Sequence, residues 1–153
     1  MIPEFIQTFY QGHQNLLWLT TVILDLGITI GMYRLFGRDG LLGCIILAIL
    51  LANIQGPKLT MIFGLQTSLG VIFYSGIFFA TDLLSEKYGR AEASKAILIG
   101  FMISVTMVLM MSLALLFEPS NQPNTAEFSM RIHEAFKTIL NFTPRFVFGS
   151  LQV

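Results

Sequence analysis

The sequence predicts an all-α protein: a polytopic transmembrane helical bundle of about four full spans, with an amphipathic helix and a partial fifth span. Three observations carry this expectation. Hydrophobic residues make up 54% of the chain and charged residues 12%, against roughly one quarter charged in soluble globular domains. Residues 59–81 and 96–117 hold no charged side chain, and each is long enough as a helix to cross the roughly 30 Å hydrocarbon core of a bilayer. Between them lies a charged hairpin carrying Asp82, Glu86, Lys87, Arg90, Glu92 and Lys95.

Composition also excludes several functions. Nine basic residues balance nine acidic ones, so no basic surface argues for a nucleic-acid partner. A single cysteine, Cys44, permits neither an intrachain disulfide nor a thiolate metal cage. It reads as a small packing residue. His13 and His133 lack the spaced partners that a metal site requires, so neither a metal nor a cofactor is implied. No Lys or Arg precedes Arg34, unlike the basic start of a cleavable signal peptide, so the first span is expected to be retained.

Taken in order, residues 1–15 are polar with aromatic members and suit the membrane interface. Residues 16–36 form the first span, with Trp18 and Tyr33 near its ends, where amphipathic rings favour the headgroup level. Asp25 sits at mid-span, where a carboxylate costs about 2.5–3.5 kcal/mol on insertion scales, so it should face the bundle interior or carry a proton. Two roles stay open for it: a proton or substrate contact, and a hydrogen-bonded packing carboxylate. Gly27 and Gly31 have the GxxxG spacing that lets another helix approach.

Arg34, Arg38 and Asp39 close that helix, and a short apolar stretch runs from Gly40 to Gln55. The backbone should break near Gln55 and Gly56, because Pro57 lacks a donor and disfavours helix for the residue before it. Asn53, Gln55 and Lys58 are then either cavity-wall groups or parts of an ordinary interfacial turn. The third span is expected from about Ile62 to Leu84. Its Ser68, Ser75 and Asp82, spaced by seven, share one face that is expected to point inward, with Gly76 and Ala80 beside it to seat a packed helix. Asp82 is either a ligand-binding carboxylate or part of a helix-end charge network with Glu86 and Arg90. Gly89 ends this helix.

Residues 96–117 form the fourth span. A Pro- and Asn-rich loop follows, then an amphipathic helix from Ala126 to Asn141 in which Phe128, Ile132, Phe136 and Leu140 recur every four residues. Asn124 with Glu127 resembles a capping start. The apolar run after Thr143-Pro144-Arg145 is too short to cross a bilayer as a helix, which makes it the partial fifth span. Basic residues divide into Arg34, Arg38, Lys87, Arg90 and Lys95 on one side of the membrane and Lys58, Arg131, Lys137 and Arg145 on the other. The first group is expected to be cytoplasmic, with the N-terminus outside.

The residues LLANIQGPKLTMIFG, GVIFYSGIFFATDLLSEKYGRAEASKAILIGF and the later TPR, above all the TDLLSEKYG run, resemble the queuosine precursor transporter family, also called the VUT family. The resemblance covers about Leu42 to Val153. It divides the chain into an extra N-terminal helix, residues 1–40, and a partial transporter core, residues 41–153. It implies a polytopic inner-membrane protein, similar in outline to the substrate-binding subunits of energy-coupling-factor vitamin transporters, that takes up the 7-deazaguanine precursors of a modified tRNA base. Asp25 precedes the family core, so no role carries over to it. The family continues through further spans past the TPR segment, so a fragment, or helices supplied elsewhere, is expected.

A deazaguanine is a neutral plane with N–H donors on one edge and a carbonyl acceptor, so its site calls for a carboxylate, an amide and an aromatic face. On that chemistry the candidate substrate-binding residues are Asn53, Gln66, Tyr74, Asp82 and Glu86. Asp82 accepts from the N–H edge, Asn53 and Gln66 read the carbonyl, and Tyr74 stacks. No GxxxxGK[ST] loop occurs, so energy is expected from a gradient or a separate energising module. Self-association is a further expectation for partners, beside the bilayer itself. The alternatives are a binding subunit for another vitamin-like molecule and a structural membrane partner. An enzyme would need a convergent set of groups, and the spans offer only Asp25, Asp82 and scattered hydroxyls.

Overall fold

A computed structural model describes the backbone of residues 2–149 and the side chains as far as Asn141. The chain is helical apart from one short hairpin. Its order is α1 (Glu4–Gln11), α2 (Gln14–Gln55), β1 (Leu59–Ile62), β2 (Leu65–Ser68), α3 (Val71–Tyr88), α4 (Arg90–Ala114) and α5 (Ala126–Gly149). By length and apolarity, two helices among the described residues qualify to cross a membrane, α2 and α4.

Helix α2 is two legs joined at Gly37, whose φ of 59° and ψ of −128° break the helical path. Only glycine occupies that region cheaply. The legs, residues 14–36 and 38–55, lie side by side in opposite directions. Gly40 rests on the backbone carbonyl of Met32, Cys44 meets the Thr29 side chain, and Asn15 at the start of the first leg meets Phe63 beyond the end of the second. The second leg is central. Its Leu41 and Ile45 form one core cluster with Ala80, Leu84, Ala93 and Ala96. One turn further, Ala48 and Ala52 pack on Phe73 of α3. Small residues at these crossings let backbones approach, the usual means of helix packing where lipid supplies no hydrophobic drive. Gly100 of α4, for example, leaves the space that Ile49 fills. The Gly27/Gly31 seam is not used in this way, since nothing lies within 4 Å of a methyl placed at either.

The third span differs from its expected course. Residues 59–68 form an antiparallel hairpin in which Ile62 pairs with Leu65, and the helix begins only at Val71. Phe63 and Gly64 both take positive φ, 51° and 77°, as a two-residue type I′ turn demands. Asn15 Oδ1 accepts the Phe63 N–H at 2.8 Å, and the Trp18 ring meets Phe63 edge-on at 6.0 Å. At the base of the hairpin the Ser68 hydroxyl donates to the Gly56 carbonyl at 2.7 Å. The hairpin therefore closes the end of the bundle where the first leg of α2 begins and the second ends.

The opposite end holds the two helix reversals, at Gly37 and at Gly89, the latter with φ 96°. A methyl at Gly37 would stand 3.4 Å from the Tyr88 hydroxyl, and Arg38 pairs with Glu92 at 2.8 Å across the helices. Helix α5 runs on through Pro144 to Gly149 as one element. Of its apolar stripe only Leu140 is buried, while Phe128, Ile132 and Phe136 are exposed. The last four residues of the expected fifth span, 150–153, lie outside the described residues.

Candidate functional site

Of the five candidate residues, the structure brings three onto one surface and places two elsewhere. Tyr74, Asp82 and Glu86 lie on the exposed face of α3, successive members of an i, i+4 stripe. Phe78 fills the gap in that stripe and is 66% exposed. The inward face of α3 is instead Ile72, Phe73, Gly76, Ala80, Thr81 and Leu84. The expected inward face of Ser68, Ser75 and Asp82 is thus overturned, because Ser68 belongs to the hairpin and Asp82 faces outward. Ser75 returns its hydroxyl to the Ile72 carbonyl at 2.6 Å. A hydroxyl satisfied within its own helix exerts no pull toward the interior.

Asn53 is buried near the end of the second leg of α2, where its Nδ2 donates to the Ser104 hydroxyl of α4 at 3.3 Å. Ser104 in turn donates to the Gly100 carbonyl at 3.0 Å. Gln66 is exposed on β2, in register with Met61. Lys58 is exposed and Gln55 half-buried. Two surface cavities, of about 190 and 450 Å³, lie beside the Arg38 to Glu92 pair and beside residues 12–16, and none of the five candidates lines either.

The α3 stripe has a chemistry that can be read from its spacing. Along the helix axis Phe78 is about one turn from Asp82 and Tyr74 about two. Phe78 is therefore the aromatic side chain of this face that lies nearer to Asp82 along the helix. Sequence reasoning passed over Phe78. Its signal was the four-residue recurrence Tyr74, Phe78, Asp82, Glu86.

A second polar position lies inside the bundle. Asp25, on the first leg of α2, turns its carboxyl onto α3 at Gly76. A methyl added to Gly76 would collide with Asp25 Oδ2, and that oxygen is buried without a hydrogen-bond partner. Thr29, one turn on, is buried and donates to the Asp25 backbone carbonyl at 3.0 Å. Cys44 faces both residues from the second leg. Asp25 is thus half-buried, with one carboxylate oxygen turned inward, and that oxygen lacks the partner that a packing carboxylate would have.

Comparison with known proteins gives these positions a context. Residues 68–153 match the profile of a family described as "Putative vitamin uptake transporter". Over 137 residues the chain is 40% identical to a "Probable queuosine precursor transporter" of Bacillus subtilis (strain 168), an alignment covering 90% of this chain and 57% of the relative. The chain therefore spans a little over half the length of that relative. No solved structure matches it significantly. Because the profile covers more than half of the chain and includes the TDLLSEKYG run at residues 81–89, the chain belongs to the "Putative vitamin uptake transporter" family.

Proposed function

We propose that this chain acts in the uptake of queuosine precursors, 7-cyano-7-deazaguanine or 7-aminomethyl-7-deazaguanine, across the inner (cytoplasmic) membrane, as a transporter or as its substrate-binding part. The observation that carries the reading is the 40% identity, over most of this chain, to a protein described as a probable queuosine precursor transporter. The chain crosses the bilayer four times, by the two legs of α2, by α3 and by α4. The end bearing Gly37 and Gly89 faces the cytoplasm and the N-terminus lies outside, in keeping with the Lys and Arg residues gathered around the two reversals.

The substrate face is the α3 stripe. Asp82 accepts two N–H bonds from the guanine-like edge, Phe78 stacks on the ring, and Tyr74 and Glu86 bound the site along the helix. Asn53 and Gln66 lie toward the hairpin end of the bundle, away from Asp82, and are not assigned to this site. A charge-assisted pair of this kind contributes about 1.5–3 kcal/mol, so Asp82→Asn should weaken apparent affinity by about ten- to a hundredfold.

The test is the queuosine content of tRNA in cells lacking both precursor synthesis and their own importer, fed low external precursor while expressing this chain. Restored queuosine, with a raised precursor requirement for Asp82→Asn, is the expected result. No restoration, with the chain verified in the membrane, would refute uptake by this chain alone, and absence of precursor binding to the purified chain would refute the substrate-binding reading as well. Restoration with an unchanged requirement for Asp82→Asn would refute the assignment of Asp82.

A further inference from the structure

From the packing of Asp25 against α3 we infer that this carboxyl is an intramembrane proton-binding site, one oxygen of which is closed against Gly76, so that its protonation is coupled to the separation of the first leg of α2 from α3. The geometry limits what can occupy it. Oδ2 is buried with no hydrogen-bond partner, and no Lys or Arg forms an ion pair with Asp25 among the described residues. The groups facing it are few. Thr29 on its own leg spends its hydroxyl proton on the Asp25 carbonyl, Cys44 is the titratable group facing it from the second leg, and α3 presents glycine. Flanking Leu24 and Ile28 are exposed.

An ionised carboxylate in that setting would have no cation among the described residues and no hydrogen bond at Oδ2 to replace its hydration there. A sodium ion would need several oxygen ligands and room for them. No second carboxylate joins Asp25 among the described residues, and on the α3 side Oδ2 lies too close to Gly76 for even a methyl between them. A proton satisfies Oδ2 without needing that space. Its loss leaves a charge on an oxygen that has no partner in the closed contact, and opening the contact between the leg and α3 would expose that oxygen. Protonation and helix separation are then two sides of one equilibrium.

The test is difference infrared spectroscopy of the full chain in lipid vesicles, comparing wild type with Asp25→Asn. The expected result is a carbonyl stretch of a protonated carboxyl in the wild type at neutral pH, lost on alkalinisation and missing from the variant. If Asp25→Asn does not fold, isotopic labelling of aspartate in a chain carrying Asp39→Asn and Asp82→Asn assigns the band to Asp25 without altering it, since Asp25, Asp39 and Asp82 are the three aspartates of the chain. No Asp25-dependent band at neutral or mildly acidic pH would overturn the inference. So would a band abolished by sodium chloride at constant pH, which would make the site one for sodium.

The role of this proton in transport rests on the uptake reading above. An imposed inward proton gradient should accelerate precursor uptake by the wild type and not by Asp25→Asn. A wild type that shows the band and takes up no precursor would sink uptake by this chain alone and leave the proton site standing.

Discussion

Gly76→Ala is the sharpest probe of the Asp25 contact, because one added methyl produces two opposed effects that can be separated. Alanine in place of glycine favours the helix by about 1 kcal/mol. The same methyl collides with Asp25 Oδ2, and overpacking of this kind costs about 1–3 kcal/mol. The carboxyl has little freedom to relieve the collision, since its leg is held against the second leg by Gly40 on Met32 and by Thr29 with Cys44. The single variant is therefore expected to lie between neutral and about 2 kcal/mol less stable, a range too wide to decide anything alone.

A double-mutant cycle decides it. In an Asp25→Ala background the obstructing oxygen is gone, so Gly76→Ala should become stabilising by about 1 kcal/mol, giving a coupling of about 1–3 kcal/mol between the sites. Asp25→Asn keeps the shape of the side chain and should keep the penalty. The assay is reversible unfolding in mixed micelles, followed by far-ultraviolet circular dichroism. Additivity within about 0.5 kcal/mol would refute the contact, and with it the closed arrangement of Asp25 on α3.

Three other substitutions test the frame around the site by the same assay. Gly37→Ala should destabilise by about 1–3 kcal/mol through backbone strain alone, since its methyl would stand at ordinary contact distance from the Tyr88 hydroxyl; equal stability would show that the reversal is placed elsewhere. Ser104→Ala should cost about 1–3 kcal/mol by leaving the buried Asn53 amide unpaired, and Asn53→Leu added to it should recover most of the loss. Exchanging Arg38 and Glu92 should change stability by no more than about 1 kcal/mol, because both side chains are partly exposed, at 45% and 30%; a larger loss would mean that the pair is more deeply desolvated than its exposure indicates.

The sequence carried the punctuation of this fold more faithfully than its directions. Pro57 and Gly89 are backbone-specific residues whose effects are local, and α2 and α3 do end at Gln55 and Tyr88. The apolar run after Lys58 was misleading because hydropathy does not distinguish an apolar hairpin from the start of a span. The deciding feature is a phenylalanine at positive φ, an unfavourable choice for a type I′ turn that tertiary partners, Asn15 and Trp18, hold in place. The outward aim of Asp82 was missed for a related reason. Period-seven hydroxyls suggested an inward face, yet the side chains that bury on α3 are those facing Ala48, Ala52 and Leu41 across the bundle, a choice made by the partner helix. Likewise nothing near Asp25 in the chain points to Gly76, fifty-one positions away.

The two polar positions share α3, and that fixes how they would communicate. Gly76 and Asp82 are six residues apart, which on a helix is about 9 Å along the axis and about 240° around it. The face closing on Asp25 and the face bearing Phe78 and Asp82 are therefore distinct surfaces of one rigid element. Any displacement of α3 that opens the Asp25 contact also carries the Phe78 and Asp82 stripe with it. If precursor binding favours one position of α3, thermodynamic reciprocity requires that proton binding at Asp25 change precursor affinity by the same factor that the precursor changes proton affinity. The expected observation is that adding precursor alters the amplitude of the Asp25 carboxyl band at a fixed intermediate pH, and that Asp82→Asn abolishes the effect at the same precursor concentration. A band indifferent to saturating precursor would show that the two faces of α3 act independently, whatever each of them binds.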